Sequence, residues 1–362
     1  MLMVRLLSLI CLFTVSASAC SVPVFRYALE HWPADPFQVM VFHRGALGAE
    51  QKSLVKEEAL ANARVRMVNL DEETAPEVLD LWHQQKTDTL PWLVVRFPQA
   101  TGITVPLISG PLSETASRVF ESPARQQIIQ RLAEGQSAVW VLLESGEKSK
   151  DDAAAALIEK RIKYLMGVMT LPKLDEQDIA NGLVSVPEAD LRLEFSLMRV
   201  SRRDPAEQFF VSLLMNSEKD LSSVKEPMAF PIFGRGRALY ALVGAGIRQE
   251  TIDEAATFLI GKCSCQVKEQ NPGVDLLLKA DWIRLIKASP EVARDLPTLA
   301  ELSKFAPVSV TTSAQTNLAA APAATPPRKS AFVMLVIFYA VSPLISALVL
   351  LYAWNKWKRT RL

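Results

Sequence analysis

Residues 331–354 read AFVMLVIFYAVSPLISALVLLYAW, with no charged side chain. At 1.5 Å per helical residue this run matches a hydrocarbon core about 30 Å thick, so it reads as one transmembrane helix. Tyr352, Trp354 and Trp357 stand where an interfacial aromatic belt belongs. Pro343 falls mid-span, with Ser342 and Ser346 near enough to satisfy the freed backbone groups. Lys356, Lys358, Arg359 and Arg361 lie in the tail after the run, and Arg328 and Lys329 before it. Cytoplasmic flanks carry the excess of Lys and Arg, which puts the tail, residues 355–362, inside and the body outside.

The other end of the chain gives the same orientation independently. Arg5 precedes an apolar stretch over residues 6–15, then Ser16, Ala17, Ser18, Ala19 and Cys20. A charged start, a short apolar middle and a small-residue site are the parts of a secretory signal, here residues 1–19. Together the two ends imply a single-pass inner-membrane protein with its body on the periplasmic or extracytoplasmic side.

Two readings of Cys20 stay open. Ala17-Ser18-Ala19-Cys20 resembles the lipobox of bacterial lipoproteins, which implies lipid on Cys20, although Ala17 stands where that family most often has Leu. Ordinary signal peptidase accepts the same site and leaves a plain cysteine. Cys11 leaves with the signal, so Cys20, Cys263 and Cys265 remain, an odd number. Lipid on Cys20 would leave an even pair.

Residues 306–330 are rich in Ala, Pro, Thr and Ser and read as a disordered tether with a reach of roughly 25–30 Å. The body before it is long enough for two α/β domains, residues 20–135 and 136–305. The net charge of +1, with acids and bases interspersed, gives no nucleic-acid footprint.

Periodicity gives one order of elements twice. In the first copy, strands are expected over residues 37–42, 65–70, 92–97 and 103–109, with helices over 50–63, 76–84 and 124–133. In the second, strands are expected over 138–143, 191–200, 228–233 and 238–243, with helices over 151–169, 206–215 and 251–260. This β-α-β-α-β-β-α order resembles the thioredoxin fold. Pro91, in Leu90-Pro91-Trp92, stands at the place of that superfamily's cis-proline, and Pro227 holds the corresponding place in the second copy.

The resemblance implies a Cys-x-x-Cys at the start of the first helix of each copy, where the helix dipole lowers thiol pKa. Those places hold His43-Arg44-Gly45-Ala46-Leu47-Gly48 and Glu144-Ser145-Gly146-Glu147-Lys148, without cysteine. Cys263-Ser264-Cys265 is the remaining thiol motif, read first as a structural or inert pair and otherwise as a candidate for disulfide exchange or a soft metal such as Cu(I). Only His31, His43 and His83 are available as imidazole ligands, all in the first copy. The amphipathic segment 20–32 is expected to pack on the first domain, the alternative being burial of its aromatics against a membrane partner, and Arg235 and Arg237 of the Gly-rich turn are either solvated arginines of a hairpin loop or candidates for binding an anion. Asp71-Glu72-Glu73 reads as a solvated loop, and no P-loop, nucleophile motif or dinucleotide fingerprint is present.

These features favour a non-enzymatic envelope protein that binds a partner within a membrane complex, with no cofactor. The alternative is a membrane-anchored thiol oxidoreductase or copper-handling protein using Cys263 and Cys265.

Overall fold

The computed structural model describes residues 20–56, 61–263 and 267–287. The signal, tether, apolar run and tail fall outside them, as do Ser264 and Cys265. Among the described residues no helix is long and apolar enough to cross a membrane.

The first sheet is built on β1 (Phe37–His43), whose alternation sets Phe37, Val39 and Val41 on one face and Met40 and Phe42 on the other. After helix α2 (Ala49–Lys56), β2 (Ala63–Asn69) returns parallel to β1, with Val39 beside Val65. Helix α3 (Pro76–His83) covers the Met40 and Phe42 face through Val78 and Leu81. β3 (Trp92–Arg96) then runs antiparallel to β1, and β4 (Pro106–Pro111) antiparallel to β3. The strand order is β2-β1-β3-β4.

Helix α4 (Leu112–Phe120), absent from the sequence expectation, follows directly. Leu112, Thr115, Ala116 and Val119 form its buried stripe. Helix α5 (Pro123–Ala133) begins at Ser122, whose Oγ accepts from the Arg125 backbone N–H at 3.0 Å.

The second sheet repeats the plan around β5 (Ala138–Glu144), a strand apolar on both faces and buried along nearly its whole length. Helix α6 (Lys148–Val168) and the short α7 (Glu176–Ala180) lead to β6 (Phe195–Ser201), parallel to β5. Helix α8 (Gln208–Met215) precedes β7 (Met228–Phe233), antiparallel to β5.

The expected strand over 238–243 is two pieces, β8 (Arg237–Ala238) and β9 (Leu242–Val243), both paired with β7. Pro231 explains the break. The Leu239 N–H donates to the Pro231 carbonyl at 3.0 Å, so the proline's missing donor faces the gap between β8 and β9 and not the β5 ladder. Helix α9 (Gln249–Ile260), the two-residue β10 (Val274–Asp275) and helix α10 (Trp282–Lys287) complete the described chain. The sheet order is β10-β8-β7-β5-β6.

The described residues lie in one compact unit. A single apolar cluster joins Phe37, Val95, Val119 and Ile128 of the first half to Val141, Phe210, Leu213 and Phe230 of the second. The chain ends also cross between the halves. Helix α1 (Val24–His31) packs on the second sheet, where Trp32 meets Phe233 edge-on with ring centroids 6.4 Å apart. This corrects the placement of segment 20–32 on the first domain. Conversely, Asn62 Nδ2 donates to the Leu276 carbonyl (3.1 Å), and the Leu278 N–H donates to Asn62 Oδ1 (2.9 Å), drawing the chain after β10 back to the first sheet.

Candidate functional site

The ends of the parallel strands are the natural place for chemistry in an α/β layer, because loops and helix N-termini converge there. After β1, His43 Nδ1 lies 2.9 Å from its own loop's Gly45 carbonyl, and Arg44 pairs with Asp71. The Gly45 N–H also donates to Asp71 Oδ2, at 3.3 Å. The acidic run after β2 is therefore engaged in ordering this loop. Glu73, from the same run, pairs with Arg66. Beside the loop, the Leu90–Pro91 peptide is cis, and the Pro91 carbonyl accepts from the Leu112 N–H at 2.9 Å. Among the described residues this is the only cis bond, so the sequence assignment of Pro227 as a second cis-proline is corrected.

After β5 the corresponding loop is closed from within. Asp151, in the first turn of α6 and 3% exposed, accepts from the Ser145 N–H (2.7 Å), the Ser145 hydroxyl (2.8 Å) and the Gly146 N–H (3.0 Å). A carboxylate at the positive end of a helix both meets otherwise unpaired donors and complements the dipole. The donors at this loop are met by the chain's own carboxylate. Arg199 and Lys148 spend their charge nearby on Asp152, and Lys150 bridges Glu147 and Glu226. This surface is charged but internally neutralised.

The arginines of the Gly-rich turn do not face a ligand. Arg235 donates from Nε to the Leu29 carbonyl and from Nη2 to the Glu30 carbonyl, both at 2.7 Å. These are the orphan acceptors at the end of α1, and a forked guanidinium is suited to take two of them. Burial lowers the Arg235 pKa, and Glu30 acts the other way. Gly234 has φ +58°, and a Cβ there would come within 2.8 Å of the Ala28 Cβ, so only glycine lets the turn approach the helix.

Arg237 is buried. It donates to the Pro272 carbonyl (3.0 Å), the Asn271 carbonyl (2.9 Å) and Asp275 Oδ1 (3.0 Å). Lys268 Nζ joins Asp275 to Asp35 and to the Pro33 carbonyl. This chain of charges borders a polar cleft but is spent on fixing segment 33–35 to the end of the second half. The anion-binding expectation for Arg235 and Arg237 is corrected accordingly.

Cys263 follows α9 and is 1% exposed; Cys20 is 3% exposed. The backbone brings the two segments together. Pro23 and Lys262 form an antiparallel bridge, in which the Val24 N–H donates to the Gly261 carbonyl and the Cys263 N–H to the Val22 carbonyl, both at 2.9 Å. Burial raises the pKa of the Tyr27 phenol, and Cys263 and then Cys20 add to the rise electrostatically, which puts both sulfurs in the neighbourhood of one hydroxyl.

This approach of the segment that carries Cys20 to the segment that carries Cys263, within one buried cluster, is the feature that the sequence reading missed. Cysteine parity set Cys20 apart from the later pair, and no sequence period links positions so far apart. Among the described residues no three His, Cys, Asp or Glu side chains converge as a metal site requires. His31 is engaged elsewhere, its Nε2 lying 2.9 Å from the Leu183 carbonyl.

Compared with protein-family models and with curated proteins, the sequence matches none, so its chemistry is read from its own residues.

Proposed function

We propose that this chain is an extracytoplasmic binding scaffold of the cell envelope, anchored by the apolar run at 331–354 and working within a membrane complex. Its two halves are read as thioredoxin-like units that have given up thiol catalysis. One observation carries this reading. The second sheet contains, in β6-β5-β7-β8, the order and directions of β2-β1-β3-β4 and adds β9 and β10 to them, while the loops after β1 and β5 hold His43 to Gly48 and Glu144 to Lys148 where such units carry cysteines. The Asp151 carboxylate on the amides of Ser145 and Gly146 supports the same conclusion, since it meets the donors of the second of these loops.

Burial weighs against the enzymatic alternative. A nucleophilic thiol must reach its target disulfide, and Cys263 lies beneath the first segment of the chain. The extracytoplasmic placement rests on the signal-like start and the basic flank of the apolar run.

The test is to cross-link the full-length tagged chain in intact cells, solubilise the membranes in mild detergent, and measure the stoichiometry of what copurifies. A partner membrane protein in fixed ratio supports the scaffold reading. Recovery of the chain alone, together with insulin reduction that is lost on replacing Cys263 and Cys265 by Ser, would transfer support to the oxidoreductase.

A further inference from the structure

We propose that Cys20 and Cys263 are thiol–disulfide partners, and that closing this pair fastens the start of the chain to the second half of the fold. The two cysteines are far apart in sequence yet belong to one buried cluster. Three observations set them together. The antiparallel bridge between Pro23 and Lys262 brings the two backbones together, with the Cys263 N–H on the Val22 carbonyl, so that Cys263 stands across from Val22, two residues along from Cys20. Ser21 holds the residue next to Cys20 in place: its N–H and its hydroxyl each donate to Asp178 Oδ2 at 2.6 Å, and its Oγ accepts from the Asp175 N–H at 2.7 Å. Tyr27, in the first turn of α1, belongs to the same buried cluster as both cysteines.

The same geometry disfavours lipid on Cys20. A diacylglyceryl thioether needs its sulfur at a surface open to the bilayer, whereas Cys20 is covered on the second sheet beside Val22 and Tyr27. Unseating Ser21 from Asp175 and Asp178 would be needed to release it.

The bond forms by exchange with an external disulfide, a protein or small-molecule disulfide of the exporting compartment. A thiolate of the pair attacks one sulfur of that disulfide, breaks its S–S bond and expels one thiolate, giving a mixed disulfide. The second thiolate of the pair attacks the mixed disulfide, forms the Cys20–Cys263 bond and expels the other thiolate. Each cysteine has given up one proton to solvent, and the two electrons leave on the external pair, which is reduced to two thiols. Since both sulfurs are covered once segment 20–23 is docked, exchange takes place before docking or on reopening.

The test uses the full-length chain purified from membranes, alkylated without reduction, digested and mapped by mass. The expected result is one linked peptide pair containing Cys20 and Cys263, split by reductant with the gain of two hydrogens, while Cys265 is alkylated from the start. Reduction, and separately Cys20→Ser or Cys263→Ser, is expected to lower the melting temperature by roughly 10 °C, as release of so long a closed loop should. Cys265→Ser is expected to keep both the link and the melting temperature. The proposal is overturned by a glyceryl lipid on Cys20, by alkylation of Cys20 and Cys263 without reduction, or by a link from either of them to Cys265.

Discussion

Glu207 Oε1 accepts a hydrogen bond from the Ala124 backbone N–H at 2.7 Å, so a carboxylate from the second half of the chain completes the start of a helix from the first. Its other oxygen accepts from the Ser122 hydroxyl, the N-cap of the same helix. Beside them lies Arg125, buried and donating to the carbonyls of Leu277 (2.8 Å) and Val119 (2.7 Å), with its guanidinium 5.1 Å from the Phe209 ring centroid. Burial lowers the Arg125 pKa and Glu207 raises it, so the carboxylate is what keeps the buried cation tolerable.

Glu207→Ala is therefore expected to destabilise the fold by about 2–4 kcal/mol, since it leaves the Ala124 N–H and the Ser122 hydroxyl without their acceptor. Glu207→Gln retains an acceptor and should cost less, about 1–2 kcal/mol. Urea unfolding of the body reads both, and an Ala variant within 1 kcal/mol of wild type would contradict the proposed joint.

Gly234→Ala forces a side chain onto a residue at φ +58° and against Ala28. A loss of about 2–4 kcal/mol is expected from strain and overpacking together. Because the contact is with α1, limited proteolysis should cut the start of the chain first in this variant.

Arg235→Ala leaves two carbonyls at the end of α1 without their donors. The expected cost is about 1–3 kcal/mol, and Arg235→Lys should recover little of it because a single ammonium does not reproduce the fork. Equal stability of the Lys variant and wild type would show that charge alone suffices.

Tyr27 gives a pH signature. Its folded pKa is raised above the ordinary phenol value near 10, by burial first. The stability that it contributes is full below pH 10 and is lost as pH rises through the folded pKa, because the unfolded chain gives up its proton first. Tyr27→Phe should remove that part of the decline. Unfolding midpoints of both proteins at pH 9 and pH 11 measure the difference, and parallel declines would contradict it.

Local pattern made much of the fold legible. The alternation of β1 and the apolar run of β7 place those strands within a residue of the structure. Helix α4 carried its signal too, since Leu112, Ala116 and Val119 are helically spaced, but Pro111 and the preceding strand hid its start. What the sequence did not carry is pairing at long range. The bridge from Pro23 to Lys262, the capping of α1 by Arg235 and the grip of Glu207 on Ala124 join positions with no common period. For the same reason the sequence left Arg235 and Arg237 as solvated loop arginines or anion ligands, although the fold spends both on its own carbonyls and on Asp275.

The central claim is that the chain works by holding a partner at the membrane and not by thiol chemistry. The most direct measurement is the mass of the complex that full-length protein forms after cross-linking in intact cells and mild solubilisation. The account predicts a discrete assembly containing a second membrane protein in fixed ratio, unchanged when Cys265 is replaced by Ser. A chain recovered alone, with insulin-reducing activity that replacing Cys263 and Cys265 by Ser abolishes, would contradict it.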